Sequence, residues 1–421
     1  MSSDASWQKL SLKNAGVSLI DCDHRTPPAA DTGYPYIAIP QIKNGHIQLD
    51  GVRKISPEHY AEWTRKLKPQ ANDVIVVRRC NSGDSALVPR GLECAIGQNL
   101  VVLRSDGKRV IPEFLRWLVS GPDWWEQVRK FINVGAVFDS LKCREIPHFE
   151  LTIPPINAQR KITTLLGALD DRIALLRETN ATLEAIAQAM FKSWFIDFDP
   201  VHAKQQGISP EGMDETTAAL FPDSFEESEL GLVPRGWKVH SLGDLLVPKR
   251  GKSITKSKCT DGGIPVVAGG LEPAYFHNQS NVCSPVVTIS ASGANAGFVR
   301  LYQQDIWASD CSFFSTEQTD TTFFWYAFLR FKQENIYSMQ QGAAQPHISP
   351  SDLMRLSICS PKSSVIRNFY NLLVSPLFER IGLANSTIQT LSNLRDTLLP
   401  RLISGQLRLP EAEAVLEEIE A

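Results

Sequence analysis

Two stretches of this chain place directional hydrogen-bonding side chains on loops that leave a β-branched run. Residues 78–83 read Arg-Arg-Cys-Asn-Ser-Gly after Val-Ile-Val-Val, and residues 290–297 read Ser-Ala-Ser-Gly-Ala-Asn-Ala-Gly after Val-Val-Thr-Ile. Arg, Asn and Ser on such loops are the groups that read base edges in a groove, whereas phosphate contacts need only positive charge or donors. The nucleic-acid-contacting candidates of the first stretch are therefore Arg78, Arg79, Asn81 and Ser82, with Lys43, Asn44, Arg53 and Lys54 beside them. Those of the second are Ser290, Ser292 and Asn295, with the basic run Lys249, Arg250, Lys252, Lys256 and Lys258. For any single lysine a merely solvated face is an equal reading. Residues 135–141 (GAVFDSL) and 342–349 (GAAQPHIS) are alternative contact loops, with Gln340, Gln341 and Gln345 able to bond a base edge; they equally serve as turns. The run Phe323, Phe324, Trp325, Tyr326 and Phe328 offers rings for base stacking, but dense aromatics at helical spacing read as core.

Catalytic patterns are missing. The string Arg-Gly-Lys-Ser at 250–253 resembles the end of a phosphate loop, but Leu246 stands where the earlier Gly is required. There is no Asn-Pro-Pro-Tyr or Asp-Pro-Pro-Tyr for amino-methylation, and no Glu-x-Lys for a metal-dependent nuclease. The eight histidines show no metal-ligand spacing, and the eight cysteines include no Cys-x-x-Cys pair. The expectation is a binder with no active site, no metal and no cofactor of its own.

The elements that position these loops occur twice. Trp7, Leu12 and the string DTGYP (31–35) return at an offset of 230 as Trp237, Leu242 and DGGIP (261–265). The aromatic stretch PEFLRWLV (112–119) answers TFFWYAFL (322–329), Gly135 answers Gly342, and Leu151 and Pro155 answer Leu356 and Pro361. Each copy closes with a long apolar-periodic segment, the second displaced by 208. The first seam is Ile162, Leu166, Leu169, Ile173, Leu176, Asn180, Leu183, Ala187, Met190 and Trp194. Its partner is Tyr370, Val374, Leu377, Ile381, Ala384, Ile388, Leu391, Arg395, Leu398 and Leu402. Steps of four and three sustained over four heptads predict two helices that pair as a coiled coil. Asn180 and Arg395 sit at different heptads, where a seam Asn fixes register; a solvated end explains Arg395 equally well. Pro400 is expected to kink or end the second helix and leave Leu402 and Ile403 as a frayed last turn.

The fold expected is α+β: two like α/β units joined by two long antiparallel helices, with pseudo-two-fold symmetry. The boundaries are 1–154 for the first unit, 155–197 for its helix, 198–233 for an acidic linker, 234–360 for the second unit, 361–405 for its helix and 406–421 for an acidic tail. The 33 residues from 162 to 194 span about 50 Å at 1.5 Å per residue, longer than one turn of B-DNA, so the helices read as a ruler.

A net charge of −3 argues at first against a polyanionic partner. Yet residues 211–229 carry seven acids and no base, and residues 411–421 carry five; without them 34 acids face 43 bases, and the body is basic. No apolar run is long enough for a membrane span, and the first residues lack a signal peptide's apolar core, so a cytoplasmic protein is expected.

The region SWFIDFDPVHAKQQG (193–207) followed by LFPDSFEESELGLVPRGWKV (220–239) resembles the centre of specificity subunits of Type I restriction-modification systems. The pattern is carried by Trp194-Phe195, the Asp-Phe-Asp-Pro of 197–200, the Phe-Pro-Asp of 221–223, and Gly231, Pro234, Gly236 and Trp237. The likeness extends to LPRLISGQLRL (399–409) and is weak inside the two variable units. It implies two target recognition domains, each reading half of a split asymmetric site in double-stranded DNA. It also implies helices that set the spacing and dock two modification subunits, with restriction subunits outside them. S-adenosylmethionine, ATP and Mg would then serve those partners and not this chain. A scaffold or anti-restriction mimic that binds modification subunits without reading DNA is the rival expectation.

Overall fold

The computed structural model describes residues 6–134, 139–342, 345–407 and 411. Gly135, the middle of the two alternative contact loops and most of the acidic tail lie outside the described residues. Two compact units emerge: residues 1–174 with 388–421, and residues 175–387.

In the first unit, Val74–Val77 is buried on both faces and forms an antiparallel four-stranded sheet. The order is Val17–Asp21, Leu100–Ser105, Val74–Val77, Ser85–Leu87. A smaller sheet sets Tyr34–Ile37 antiparallel to Lys54–Ile55 and parallel to Ala95–Ile96. Gln8–Ser11 pairs with Glu150–Ile153, which leads into the first long helix, Ile156–Phe195. The second unit repeats every one of these pairings. Its four strands run Lys249–Arg250, Cys311–Ser315, Val286–Ser290, Val299–Tyr302. Ile264–Val267 lies antiparallel to Tyr275–His277 and parallel to Trp307–Ala308, and Lys238–Ser241 pairs with Ser357–Ser360. The fold is α+β, and the aromatic helix Thr322–Phe331 is buried from Thr322 through Leu329, as core.

Each unit uses a piece of both long helices. In the second unit the helices run antiparallel: Asn180 Nδ2 donates to Asn385 Oδ1 at 2.9 Å, while farther along Phe191 meets Phe369. Seam Asn180 is thus paired across the helices. In the first unit, Ile162, Leu166 and Leu169 share a core with Leu398, Leu399 and Leu402. Arg395 is not at a solvated end. Its Nη1 donates to Asp170 Oδ1 at 2.7 Å, and Arg116 bonds the other oxygen of the same carboxylate, whose side chain is 5% exposed. Burial lowers the Arg116 guanidinium, whereas for Arg395 the bonds to Asp170 and Asp396 outweigh burial and raise it.

Two helix expectations need correction. The second helical stretch begins at Ser363–Phe369 and passes through a π turn at Tyr370–Val374 before Ser375–Ile403. The wider turn puts Phe369 fully inside and leaves Tyr370 half-buried, so the seam starts one residue earlier than a regular period places it. Nor does Pro400 fray the end: the helix runs to Ile403, and Leu402 and Ile403 are buried. Trp7 supplies the reason, since its Nε1 donates to the Ile403 carbonyl at 2.8 Å and its ring covers Gly405, whose φ of +75° turns the chain out of the helix. Trp237 holds the corresponding place in the second unit, packed on Phe195, Phe198 and Phe221. The acidic linker is also folded there, with Pro200, Val201, Phe221 and Val233 buried.

Replacing Asp170 with Ala leaves two half-buried guanidinium groups without their shared acceptor, and removing one partner of a buried pair costs about 3–5 kcal/mol. Urea denaturation of Asp170→Ala should show a loss of that size; a loss below about 1 kcal/mol would mean that water replaces the carboxylate freely.

Candidate nucleic-acid interface

The buried strand Val74–Val77 aims the following loop outward, and the loop is fastened at its root. Ser82 is 7% exposed and its hydroxyl donates to the Arg78 and Asp139 carbonyls, while the Cys80 N–H donates to Asp139 O at 3.1 Å. Gly83 adopts a φ of +101°, and a Cβ there would stand about 3 Å from Val128 and Trp125. Trp124 Nε1 closes the turn by donating to Gly83 O at 2.9 Å. Ser82 therefore positions the loop and does not face outward, which corrects its place among the contact candidates. Arg79 and Asn81 are exposed and Arg78 is half-buried.

Ser290 needs the same correction, being buried at the end of its strand. Ser292 and Arg250 are brought together, because Asp310 accepts from both: Arg250 Nη2 at 2.9 Å on one oxygen, Ser292 Oγ on the other. Lys249 is paired with Glu317 at 2.8 Å. Lys252, Lys256 and Lys258 are exposed, and Asn295 is half-buried.

The sequence left two pairs of loops as alternatives, and the structure sets the members of each pair side by side. Backbone bridges join Arg79 and Asn133 to Ser140 in the first unit; Ser292 and Gln341 join His347 in the second. Gln340 and Gln341 spend their amides internally, on Ala296 O and Asp352 Oδ1. Gln345 is exposed. Ile42–Lys43 and His46–Ile47 form a separate two-stranded hairpin whose turn is Asn44-Gly45, both at positive φ, as a two-residue type I′ turn requires. That turn exposes Lys43 and Asn44; Lys54 is exposed too, and exposed Arg53 is tied by Nη1 to Pro27 O at 2.9 Å.

Beside the first loop lies an open cleft of about 490 Å³ lined by Asp21, His24, Arg78, Lys142, Cys143 and Arg144. Lys142 and Arg144 are exposed cations that the sequence reading missed, for they flank a cysteine and follow no β-run. Asp21, Cys22 and His24 bring one ligand-type atom each within 4.8 Å of one another, a cluster that histidine spacing does not disclose. His24 lies 3.0 Å from Asp21 Oδ2 and 3.7 Å from Cys22 Sγ. Burial pushes the Cys22 thiol up to about 11 and raises Cys143 as well, so both stay neutral near pH 7. Arg144 donates to the neighbouring Glu145 at 3.1 Å, so Asp21 faces Arg78 and Lys142 across the cleft, which suits an anion better than a metal ion.

Each copy of the duplicated α+β unit thus carries a fastened polar loop at the same strand end. This chain belongs to the Type I restriction-modification DNA specificity family, whose domain matches residues 23–185 and 234–365, once in each repeat. It is a specificity subunit, the DNA-recognising and non-catalytic component of such a system. The chain is 26% identical over 382 residues to the MjaIX specificity subunit of Methanocaldococcus jannaschii, covering 86% of this chain and 83% of that one. It is 27% identical over 375 residues to the HindI specificity subunit of Haemophilus influenzae, covering 74% and 81%. Among solved structures, the S subunit from M. genitalium aligns over 96% of this chain and 97% of its own, at 17% identity and a TM-score of 0.48. No helix among the described residues is long and apolar enough to cross a membrane.

The fastening of the first loop is open to test. Gly83→Ala forces a side chain into a left-handed conformation against two packed residues, and should cost about 1–3 kcal/mol. Hydrogen exchange should quicken at Cys80 and Ser82 first; unchanged protection there would show that the loop does not depend on Gly83.

Proposed function

We propose that this chain reads a bipartite, asymmetric site in double-stranded DNA, one half per repeat, and docks two modification subunits through which restriction subunits join. The observation that carries the reading is the contrast between frame and loops. Strand order, register type and loop-to-loop bridges recur in both units, while the side chains displayed differ: Arg79, Asn81, Lys142 and Arg144 in one, Arg250, Lys252, Lys256 and Asn295 in the other. Like frames with unlike contacts suit unlike half-sites. Docking is supported by apolar side chains left exposed on the long helices, Leu175, Ile186 and Leu383 among them. S-adenosylmethionine, ATP and Mg belong to the partner subunits in this reading, and the helices set the distance between half-sites.

A scaffold that binds modification subunits without reading DNA is the second reading, favoured by the acidic stretch at 211–229. Selection from a random DNA pool with the modification partner separates the two. The DNA reader enriches one split sequence. In Arg78→Ala/Arg79→Ala it keeps the partner but binds DNA at least tenfold more weakly, with the slope of log affinity against log salt shallower by up to about 2. Enrichment of no split sequence would leave only the scaffold.

Deleting one heptad from each long helix shortens each by about 10 Å. The selected half-sites should keep their letters while the gap between them changes; an unaltered gap would remove the helices from the spacing role.

A further inference from the structure

One position of the repeated frame carries opposite chemistry in the two copies. In the first unit it is the buried ion cluster in which Asp170 is held by Arg116 from the short helix Pro112–Leu118 and by Arg395 from the second long helix. The offset of 210 between the short aromatic helices makes Tyr326 the counterpart of Arg116, and the offset of 208 between the long helices makes Phe378 and Ala187 the counterparts of Asp170 and Arg395. Those three residues pack as an apolar node in the second unit, with the Tyr326 hydroxyl at its edge donating to Glu184 Oε1 at 2.6 Å. Tyr326 meets Phe378 edge-on at 5.5 Å between ring centroids, and Phe378 and Ala187 are buried in one core. The pairing of Asn180 with Asn385 sets a register that places Ala187 opposite Phe378, two helical turns on.

We propose that this difference is a selector of helix partners: it admits the pairing of the first long helix with the second and rejects pairing of either helix with the same helix of another copy of this chain. Self-pairing is the competing structure that a repeated sequence invites, since both helices carry the same apolar period and would use the same register. Two second helices paired in this way set Arg395 against Phe378 of the other copy, beside Tyr326 and without Asp170. Arginine cannot shed its proton to escape, so its charge loses the buried carboxylate and keeps only the exposed Asp396 of its own helix. Two first helices set Asp170 against Ala187 of the other copy, leaving the carboxylate one guanidinium short. Only the mixed pair satisfies the ion cluster and the apolar node together. The logic is that of a polar seam residue, which penalises the wrong partner more than it strengthens the right one.

The test gives the first node the chemistry of the second in the full-length chain, as Arg116→Tyr/Asp170→Phe/Arg395→Ala. The expected protein is folded, with a thermal midpoint close to that of the wild type, because a buried ion cluster is replaced as a whole by apolar groups. It should form concentration-dependent assemblies in sedimentation velocity that the wild type lacks under the same conditions. In those assemblies, cross-linking mapped by mass spectrometry should join Glu178 or Thr179 to the same segment of a second copy, the place where two first helices cross in this register. A triple variant that is folded yet matches the wild type in assembly state and cross-links at every concentration overturns the proposal. Should that variant not fold, Arg116→Leu/Asp170→Leu/Arg395→Met serves in its place. If neither folds, the cluster is a requirement for folding and not a selector, and the proposal falls.

Discussion

Each compact unit depends on helix segments drawn from distant parts of the chain. Trp7 donates its indole N–H to Ile403, 396 residues away, and Asp170 holds Arg395 across the seam. The first unit's core therefore contains Leu398, Leu399, Leu402 and Ile403 together with Ile162, Leu166 and Leu169. The second takes Ala187, Phe191, Trp194 and Phe195 from the first helix and Val374, Phe378 and Ile381 from the second helical stretch. Apolar burial at roughly 25 cal/mol per Å² supplies most of the stability of such cores, and the polar contacts choose among the ways of pairing. Closing loops of this length costs little more entropy than closing short ones, because the cost grows only with the logarithm of length.

That shared frame frees the loops. A fully buried strand in each unit carries a polar loop whose root is fastened by backbone bonds, by Ser82 and Gly83 in one copy and by Asp310 with Ser292 in the other. Because the fastening is internal, the exposed side chains can differ without disturbing the sheet. A specificity subunit needs that separation: fold energy resides in the cores, and sequence discrimination resides in side chains that contribute little to them.

Much of this is legible in the residues. Trp7 and Trp237, the β-branched runs and the 208-residue displacement of the seams disclose the duplicated α+β frame, because period and spacing record burial directly. What escapes is whatever depends on long-range partners. Nothing local distinguishes Asp170 from an exposed helical acid; only Arg116 and Arg395 make it a buried hub. A regular period cannot foresee the π turn at Tyr370–Val374, and Pro400 reads as a helix breaker until Trp7 is seen to cover the turn that follows it. At the interface, Ser82 and Ser290 look like contact residues by type, but strand-end burial turns both inward. Lys142 and Arg144 are hidden in the opposite sense, lying on a segment 60 residues from the loop they flank, and only the fold brings them to Arg78.

The most direct test of two-part reading is single-molecule sequencing of methylated adenines in cells that express this chain with its modification subunits. The expected result is one asymmetric motif in two parts separated by a fixed gap. Replacing the side chain of Asn295 in the second unit's loop should change one part and leave the other intact. An undivided motif, or a substitution in one unit that alters both parts together, would contradict the assignment of one half-site to each repeat.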